Sequence, residues 1–375
     1  MTPDTYAAYT LGTADEGAAL NLDELRARVQ ALAPPEQGVF DGQPNALRPE
    51  APAVKIHYRV YENPQETQGG IVIFSGRTEG AELYLETIAD LLRNGWSVYI
   101  HDHRGQGFSS RLLADPEQAS AGFVDEFGRY VDDAQTVVNR VAARRQGNPR
   151  PLFLLAHSMG GAIASLLLER GAGPFKAAVL VTPMHQPWVA GTDAISWLWP
   201  FESLCAGSRL TVESEVPLVS TAYISGVDFD REDKSFRPDS ITSSPSRLAL
   251  NWLARAAHCQ GEACGHPDAK VGGLTMRWLV QACAGALEAR GPAAQRISVP
   301  MLVLQGTQDK VVEPGAQREF CQNVNQGKAR PLCTLRTVAD GRHALLIERD
   351  EIRRPVLGQT MGFFQCVARG GTGCP

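Results

Sequence analysis

No apolar run in this chain approaches the roughly 18 residues needed to cross a bilayer as a helix. The first thirty residues also lack the cationic, apolar and small-residue succession of a signal peptide. Together these absences predict a soluble or only peripherally attached protein. Positive charge is in short supply as well: 36 Lys and Arg face 41 Asp and Glu, and the net charge of -5 argues against bulk attraction to nucleic acid. The one arginine cluster, Arg140, Arg144, Arg145 and Arg150, reads as a helix C-terminus favoured by the helix dipole. There is no internal repeat and no low-complexity tract. Cysteine is absent before Cys205, and all eight lie from there onward, with Cys259 near Cys264, Cys321 near Cys333 and Cys366 near Cys374. Two readings stand: disulfides, which imply an oxidising compartment, or a reduced set of buried thiols. His258, Cys259, Cys264 and His266 are zinc-ligating residue types, but their spacing matches no standard knuckle. No metal is therefore expected.

What the chain does have is the balance of an ordinary globular protein, 43% hydrophobic and 21% charged over 375 residues. That length suits a large domain with an insertion. A helix is expected where Leu22, Leu25, Val29 and Leu32 recur after Asn21, a plausible N-cap, within an N-terminal extension over 1–52. From Ala53 to Tyr61 the pattern alternates, with Val54, Ile56, Tyr58 and Val60 on one face and Lys55, His57 and Arg59 on the other, as in an amphipathic strand near a sheet edge. Short apolar runs at Ile71–Phe74, Trp96–Ile100 and Ala177–Val181 then alternate with helical periodicities at Tyr84–Leu92 and Tyr130–Val141. Strand, helix and strand in alternation predict an α/β fold with a doubly wound, mostly parallel sheet and right-handed crossovers. The alternation stops after Met184 and resumes at Pro300, longer than any ordinary connection. An inserted helical cap over 185–296 is expected, leaving 53–184 and 297–375 as the core. Five of the six tryptophans fall in the insertion, and Trp188, Trp197 and Trp199 are candidate walls of an apolar binding site.

The chemistry centres on Pro151–Arg170, where five apolar residues run into Ala156-His157-Ser158-Met159-Gly160-Gly161 and then a helical pattern. This reads as a buried strand, a tight turn and a helix with Ser158 at the apex, the small residues allowing strand and helix to approach closely. A serine hydroxyl is a poor nucleophile unless a base stands beside it and donors await the oxyanion. Asp309 follows the strand Val299–Leu304, and His343 follows the strand Leu335–Val338, both at the C-terminal ends where catalytic groups gather in parallel sheets. His343 is thus the candidate base and Asp309 its orienting carboxylate, with Glu313 the nearest competitor, whereas His57, His185 and His258 are read as structural or surface histidines. The order Ser158, Asp309, His343 is that of the α/β-hydrolase arrangement. The oxyanion donors are expected to be the backbone amides of Met159 and Arg77, the latter in the loop after Ile71–Phe74 that Gly76 shapes.

Gly76-Arg77-Thr78-Glu79-Gly80, Asp102-His103-Arg104-Gly105-Gln106-Gly107 with Ser109 to Leu112 after it, Tyr130-Val131-Asp132-Asp133, and Ala156 to Ile163 resemble the bacterial lysophospholipases of the monoacylglycerol lipase-like serine hydrolases. Ala156, in place of the usual Gly of the elbow, is itself a mark of that branch. The resemblance covers Ala53 to Met184 closely and the Asp309 and His343 regions by pattern. It implies hydrolysis of a lysophospholipid or monoacylglycerol ester through an acyl-serine intermediate, without cofactor, on a small-molecule lipid substrate reached through an acyl channel in the cap. Peripheral membrane contact through the cap, and a place in the cytoplasm or at the inner membrane, go with it; disulfides would instead place the protein in the periplasm or outside the cell. Fold and triad define acyl transfer but not the acyl group, so a peptidase or small-ester hydrolase, and a non-catalytic binding protein, are the competing readings. Oligomeric state is not legible.

Overall fold

A computed structural model describes residues 6–18, 20–171, 173–187, 229–230, 232–371 and 374. Trp188, Trp197 and Trp199 lie outside the described residues.

Apolar runs flanked by turn residues become the strands of one sheet: β1 (Glu36–Asp41), β2 (Lys55–Tyr61), β3 (Gly69–Phe74), β4 (Trp96–His101), β5 (Leu152–His157), β6 (Phe175–Val181), β7 (Met301–Gly306) and β8 (Cys333–Val338). Their spatial order is β1-β2-β4-β3-β5-β6-β7-β8. From β4 to β8 every pairing is parallel, while β1 and β2 join antiparallel at one edge. All residues of β3, β4, β5 and β7 are buried, as expected of strands covered on both faces.

The covering helices are α1 (Leu22–Leu32), α2 (Leu85–Arg93), α3 (Phe127–Arg144), α4 (Met159–Glu169), α5 (Pro245–Arg255), α6 (Met276–Arg290), α7 (Pro314–Asn325) and α8 (Asp350–Ala368). One apolar layer sets α3, α4, α6 and α7 against Val72, Leu154 and Val303; the other sets α1, α2 and α8 against Ile71, Leu155 and Leu302. Within the interval read as a cap, Trp278, Ala282 and Ala289 of α6 share the first layer with α3 and α4. Asn21 caps α1, its side chain accepting from the amides of Asp23 and Glu24.

Three details depart from the expected pattern or resolve it. β1 has no counterpart among the expected strands: it follows Pro34-Pro35 and buries only Phe40, so its sequence carries little apolar signal. The face of β2 expected to be polar and open is largely covered, with His57 fully buried and Arg59 nearly so. Both are paired in place, His57 Nδ1 with Asp102 at 3.0 Å and Arg59 with Glu82 at 2.5 Å. The cysteines are paired: Cys259–Cys264, Cys321–Cys333 and Cys366–Cys374 form disulfides, Cys283 is also disulfide-bonded, and no described cysteine is free. Cys259 and Cys264 consequently offer no thiolate to zinc, and no cluster among the described residues could hold a metal ion. No helix among the described residues is long and apolar enough to cross a membrane.

Candidate active site

Ser158 sits between β5 and α4 with φ 50° and ψ -118°. The turn is viable only because its neighbours are small. A Cβ on Gly160 would lie 2.3 Å from the Phe74 carbonyl oxygen, and one on Gly161 would lie 2.5 Å from Pro183 Cβ. The backbone of Ser158 is held from both sides, its N–H donating to the Val181 carbonyl at 3.1 Å and its carbonyl accepting from Gly161 and Met184 at 2.8 Å. Four non-glycine residues among those described have positive φ: Thr78, Ser158, Thr182 and Asp340. Each follows the C-terminal end of a strand (β3, β5, β6 and β8), so the backbone strain is gathered along one edge of the sheet.

The structure brings Ser158, His343 and Asp309 together at that edge. His343 Nε2 is 2.9 Å from Ser158 Oγ, and His343 Nδ1 is 2.9 Å from Asp309 Oδ2. Ser158 and His343 are 7% and 6% exposed, so the pair is shielded but not sealed. Burial alone would raise the Asp309 carboxyl; the His343 ring and the amides of Val311 and Val312, which donate to Oδ1 at 2.8 and 3.2 Å, outweigh it and hold the carboxyl below its ordinary value. Gln305 Nε2 donates to Oδ2 at 3.1 Å. Glu313 heads α7, and its carboxylate takes no part in this chain.

The two amides expected to meet an oxyanion lie on neighbouring strands. Phe74 of β3 is in register with Ala156 of β5, and Arg77 and Met159 each follow three residues later. Met159 is the first residue of α4, where a helical N–H has no intrahelical acceptor. In the loop, the Gly76 amide donates to Glu79 Oε2 at 2.5 Å and the Thr78 amide to Gln106 Oε1, so the Arg77 peptide is suspended between two tethered neighbours. The Arg77 guanidinium donates to the Gly272 carbonyl at 2.6 Å and lies over the Trp278 ring, tying the loop to α6.

Behind this loop lies a network that sequence reasoning missed. Glu79 takes the Gly76 amide, the Tyr84 hydroxyl at 2.7 Å and His157 Nδ1 at 3.0 Å. His157 Nε2 in turn lies 3.3 Å from the His343 carbonyl oxygen, which Thr182 Oγ1 also meets at 2.7 Å. Burial opposes charge on both members, but their mutual attraction wins: Glu79 titrates below its ordinary value and His157 above. His103 Nε2 donates to the Ser75 carbonyl at 3.1 Å, and burial lowers its pKa to about 4, leaving it neutral. Asp102 accepts from the Ala81 and Phe108 amides, both at 2.8 Å, and from His57. The only early signal for Glu79, Asp102, His103 and His157 was their place inside the quoted motif runs. Of the other histidines, His185 is buried against Ser165 Oγ at 2.9 Å, and His258 pairs with Asp268 at the surface.

Comparison with known proteins extends this geometry. Residues 65–350 match the Hydrolase_4 family, described as serine aminopeptidase, S33. The chain is 31% identical over 301 residues to lysophospholipase L2 of Escherichia coli strain K12, covering 78% of this chain and 79% of that one. It is 26% identical over 308 residues to a probable lysophospholipase L2 of Haemophilus influenzae, covering 81% and 86%. Among solved structures, a soluble variant of monoglyceride lipase from Saccharomyces cerevisiae superposes with a TM-score of 0.63 at 16% identity, over 92% of this chain and 98% of that one. At that identity the likeness is one of fold.

Proposed function

Since the chain belongs to the Hydrolase_4 family of α/β-hydrolases and is a serine hydrolase, we propose that it cleaves the acyl ester of lysophospholipids or monoacylglycerols through an intermediate on Ser158. The observation that carries this reading is the unbroken chain Asp309–His343–Ser158, with 2.9 Å at each link. His343 Nε2 accepts the hydroxyl proton as Oγ attacks the ester carbonyl carbon. The Arg77 and Met159 amides receive the developing oxyanion, each such donor typically contributing about 3 kcal/mol to the transition state. As the C–O bond breaks, the proton passes from His343 to the departing glycerol oxygen, and the acyl group stays on Oγ. Water then attacks the acyl carbonyl with its proton taken by His343, and Ser158 leaves with that proton as the fatty acid is released. Asp309, held ionised by the His343 ring and the amides of Val311 and Val312, holds the imidazole tautomer and stabilises its charged form.

A fluorophosphonate probe tests the mechanism and an acyl-length series tests the substrate. Labelling confined to Ser158, with kcat/KM rising from short to long acyl chains, is expected; an unlabelled Ser158 in folded protein would overturn catalysis, and rates that fall beyond short chains would overturn the lipid substrate. Contact with a lipid surface belongs to the same proposal, and co-sedimentation with phospholipid vesicles measures it.

The disulfides support a place outside the reducing cytoplasm, in the periplasm or beyond the cell. Thiol titration of the denatured, unreduced protein isolated from its native cells is expected to find none free; a full set of eight would return the protein to the cytoplasm.

A further inference from the structure

Within the reaction just described, the side of the scissile bond on which each part of the substrate lies is set by the proton path. His343 donates to the leaving oxygen, so the alcohol portion of the ester lies on the His343 side of Ser158, away from the oxyanion amides. A cavity of about 310 Å³ opens beside His343, between the loops that follow β7 and β8 and the segment that leads into α5.

Three cationic side chains line that cavity: Lys310, Arg342 and Arg349. The fully buried arginines, Arg104, Arg247 and Arg353, are matched with carboxylates, as Arg104 is with Asp125 and Asp133, whereas Arg111 and Arg277 bond to backbone carbonyls. Among the described residues, none of the three cations lining the cavity forms an ion pair. Arg342 Nη1 donates to the Ser240 and Thr242 carbonyls at 3.1 and 2.8 Å, and Arg349 Nε donates to Ser243 Oγ at 2.9 Å. Both guanidiniums are therefore anchored through neutral partners and keep their charge and further donors for something else. Two carboxylates, Asp239 and Asp340, also line the cavity, so its lining side chains carry one more cation than carboxylate, and Glu348 lies behind the wall, accepting from Ser243 Oγ and from the Arg342 and Arg349 amides.

From this geometry we propose that the cavity receives the phosphodiester of a lysophospholipid head group, with Lys310, Arg342 and Arg349 as its binding residues. In such a lipid the phosphate stands at the far end of the glycerol from the scissile ester, on the departing alcohol, which is the part that faces His343. Arginine forks and a lysine ammonium suit a phosphate and give nothing comparable to the neutral glycerol of a monoacylglycerol. The proposal rests on acyl-ester hydrolysis at Ser158 and adds the feature that separates the two substrate classes of that reading.

The test compares kcat/KM of the full chain on lysophosphatidylglycerol and on a monoacylglycerol with the same acyl chain, and reads the ratio. Lys310→Gln and Arg349→Gln are each expected to lower the ratio about tenfold, the scale of one charge-assisted hydrogen bond. Asp340→Asn is expected to raise it, and asparagine tolerates the positive φ at that position. Arg342 also pins the segment before α5, so it is tested only as Arg342→Lys, with a thermal melt to check folding. A ratio unmoved by Lys310→Gln, Arg349→Gln and Asp340→Asn, or a wild-type enzyme that turns over the monoacylglycerol alone, overturns the head-group site while leaving ester hydrolysis intact. Hydrolysis of neither lipid overturns the underlying reading instead.

Discussion

Two buried histidine–carboxylate pairs meet behind Ser158 and look alike. His343 Nδ1 stands 2.9 Å from Asp309, His157 Nδ1 stands 3.0 Å from Glu79, and the two rings lie 5.1 Å apart. A third, His57 with Asp102, repeats the distance at 3.0 Å a little deeper. What separates them is the other ring nitrogen. His343 Nε2 meets a hydroxyl that can give up a proton, whereas His157 Nε2 meets the His343 carbonyl oxygen, and His57 Nε2 is buried with no partner. A carboxylate can orient any imidazole, but only the one facing an ionisable partner at the sheet's strained edge can serve as a base. The Glu79–His157 pair instead spends its charge on position, tying the loop that carries Arg77 to the backbone that carries His343.

The comparison can be broken by removing the carboxylates in turn. Asp309→Asn should have the largest effect, lowering kcat about 10⁴-fold with the fold intact, because the wrong imidazole tautomer then faces Ser158. Turnover measured with a chromogenic ester checks this, and retained activity would move the orienting role to Glu313. Glu79→Gln should lower kcat by roughly tenfold and destabilise the fold by about 3 kcal/mol, since it leaves His157 buried without its counter-charge. Denaturant unfolding and steady-state rates on the same protein separate the two effects. Asp102→Asn should leave kcat within a few-fold of wild type and be felt mainly as lost stability, because Asp102 holds the Ala81 and Phe108 amides rather than the loop itself.

Dependence on pH sharpens the same contrast. Glu79 titrates below its ordinary 4.5, so its contribution is present above that value and is lost as pH falls through the depressed one. His157 titrates above its ordinary 6.5, so its contribution is complete below 6.5 and is lost as pH rises through the elevated value. The stability gap between wild type and Glu79→Gln should therefore be widest between these limits and narrow on both sides. A gap that is flat across the range would show that the two groups are not held as an ion pair. Asp102 behaves differently: burial would raise its pKa, but His57 and the two amides bring it to about 2, so its contribution survives far into acid and fades only as pH falls from 3.8 toward that value. The smallest expected effect is thus a late, acid-only loss, read from unfolding midpoints at low pH.

Much of the scaffold was legible from the chain. The fully buried strands β3, β4, β5 and β7 announce themselves because a strand covered on both faces must be apolar throughout, and Asn21 marks the start of α1 because its side chain caps the first turn. Ser158, Asp309 and His343 were found by the same local logic, each following a strand. β1 was not legible, since an edge strand that buries one phenylalanine has almost no pattern to detect. Nor was the burial of His57 and Arg59, which depends on Asp102 and Glu82 arriving from other elements.

By itself, then, the sequence determined the alternation of strand and helix, the elbow and the identity of the three groups that follow β5, β7 and β8, because these rest on local periodicity and on small residues at a tight turn. Tertiary structure alone decided which of three similar histidine–carboxylate pairs faces a hydroxyl and which arginines are left without a carboxylate beside His343. Those outcomes depend on groups up to 186 positions apart being brought within a few ångströms, and no spacing along a chain encodes a distance of that kind.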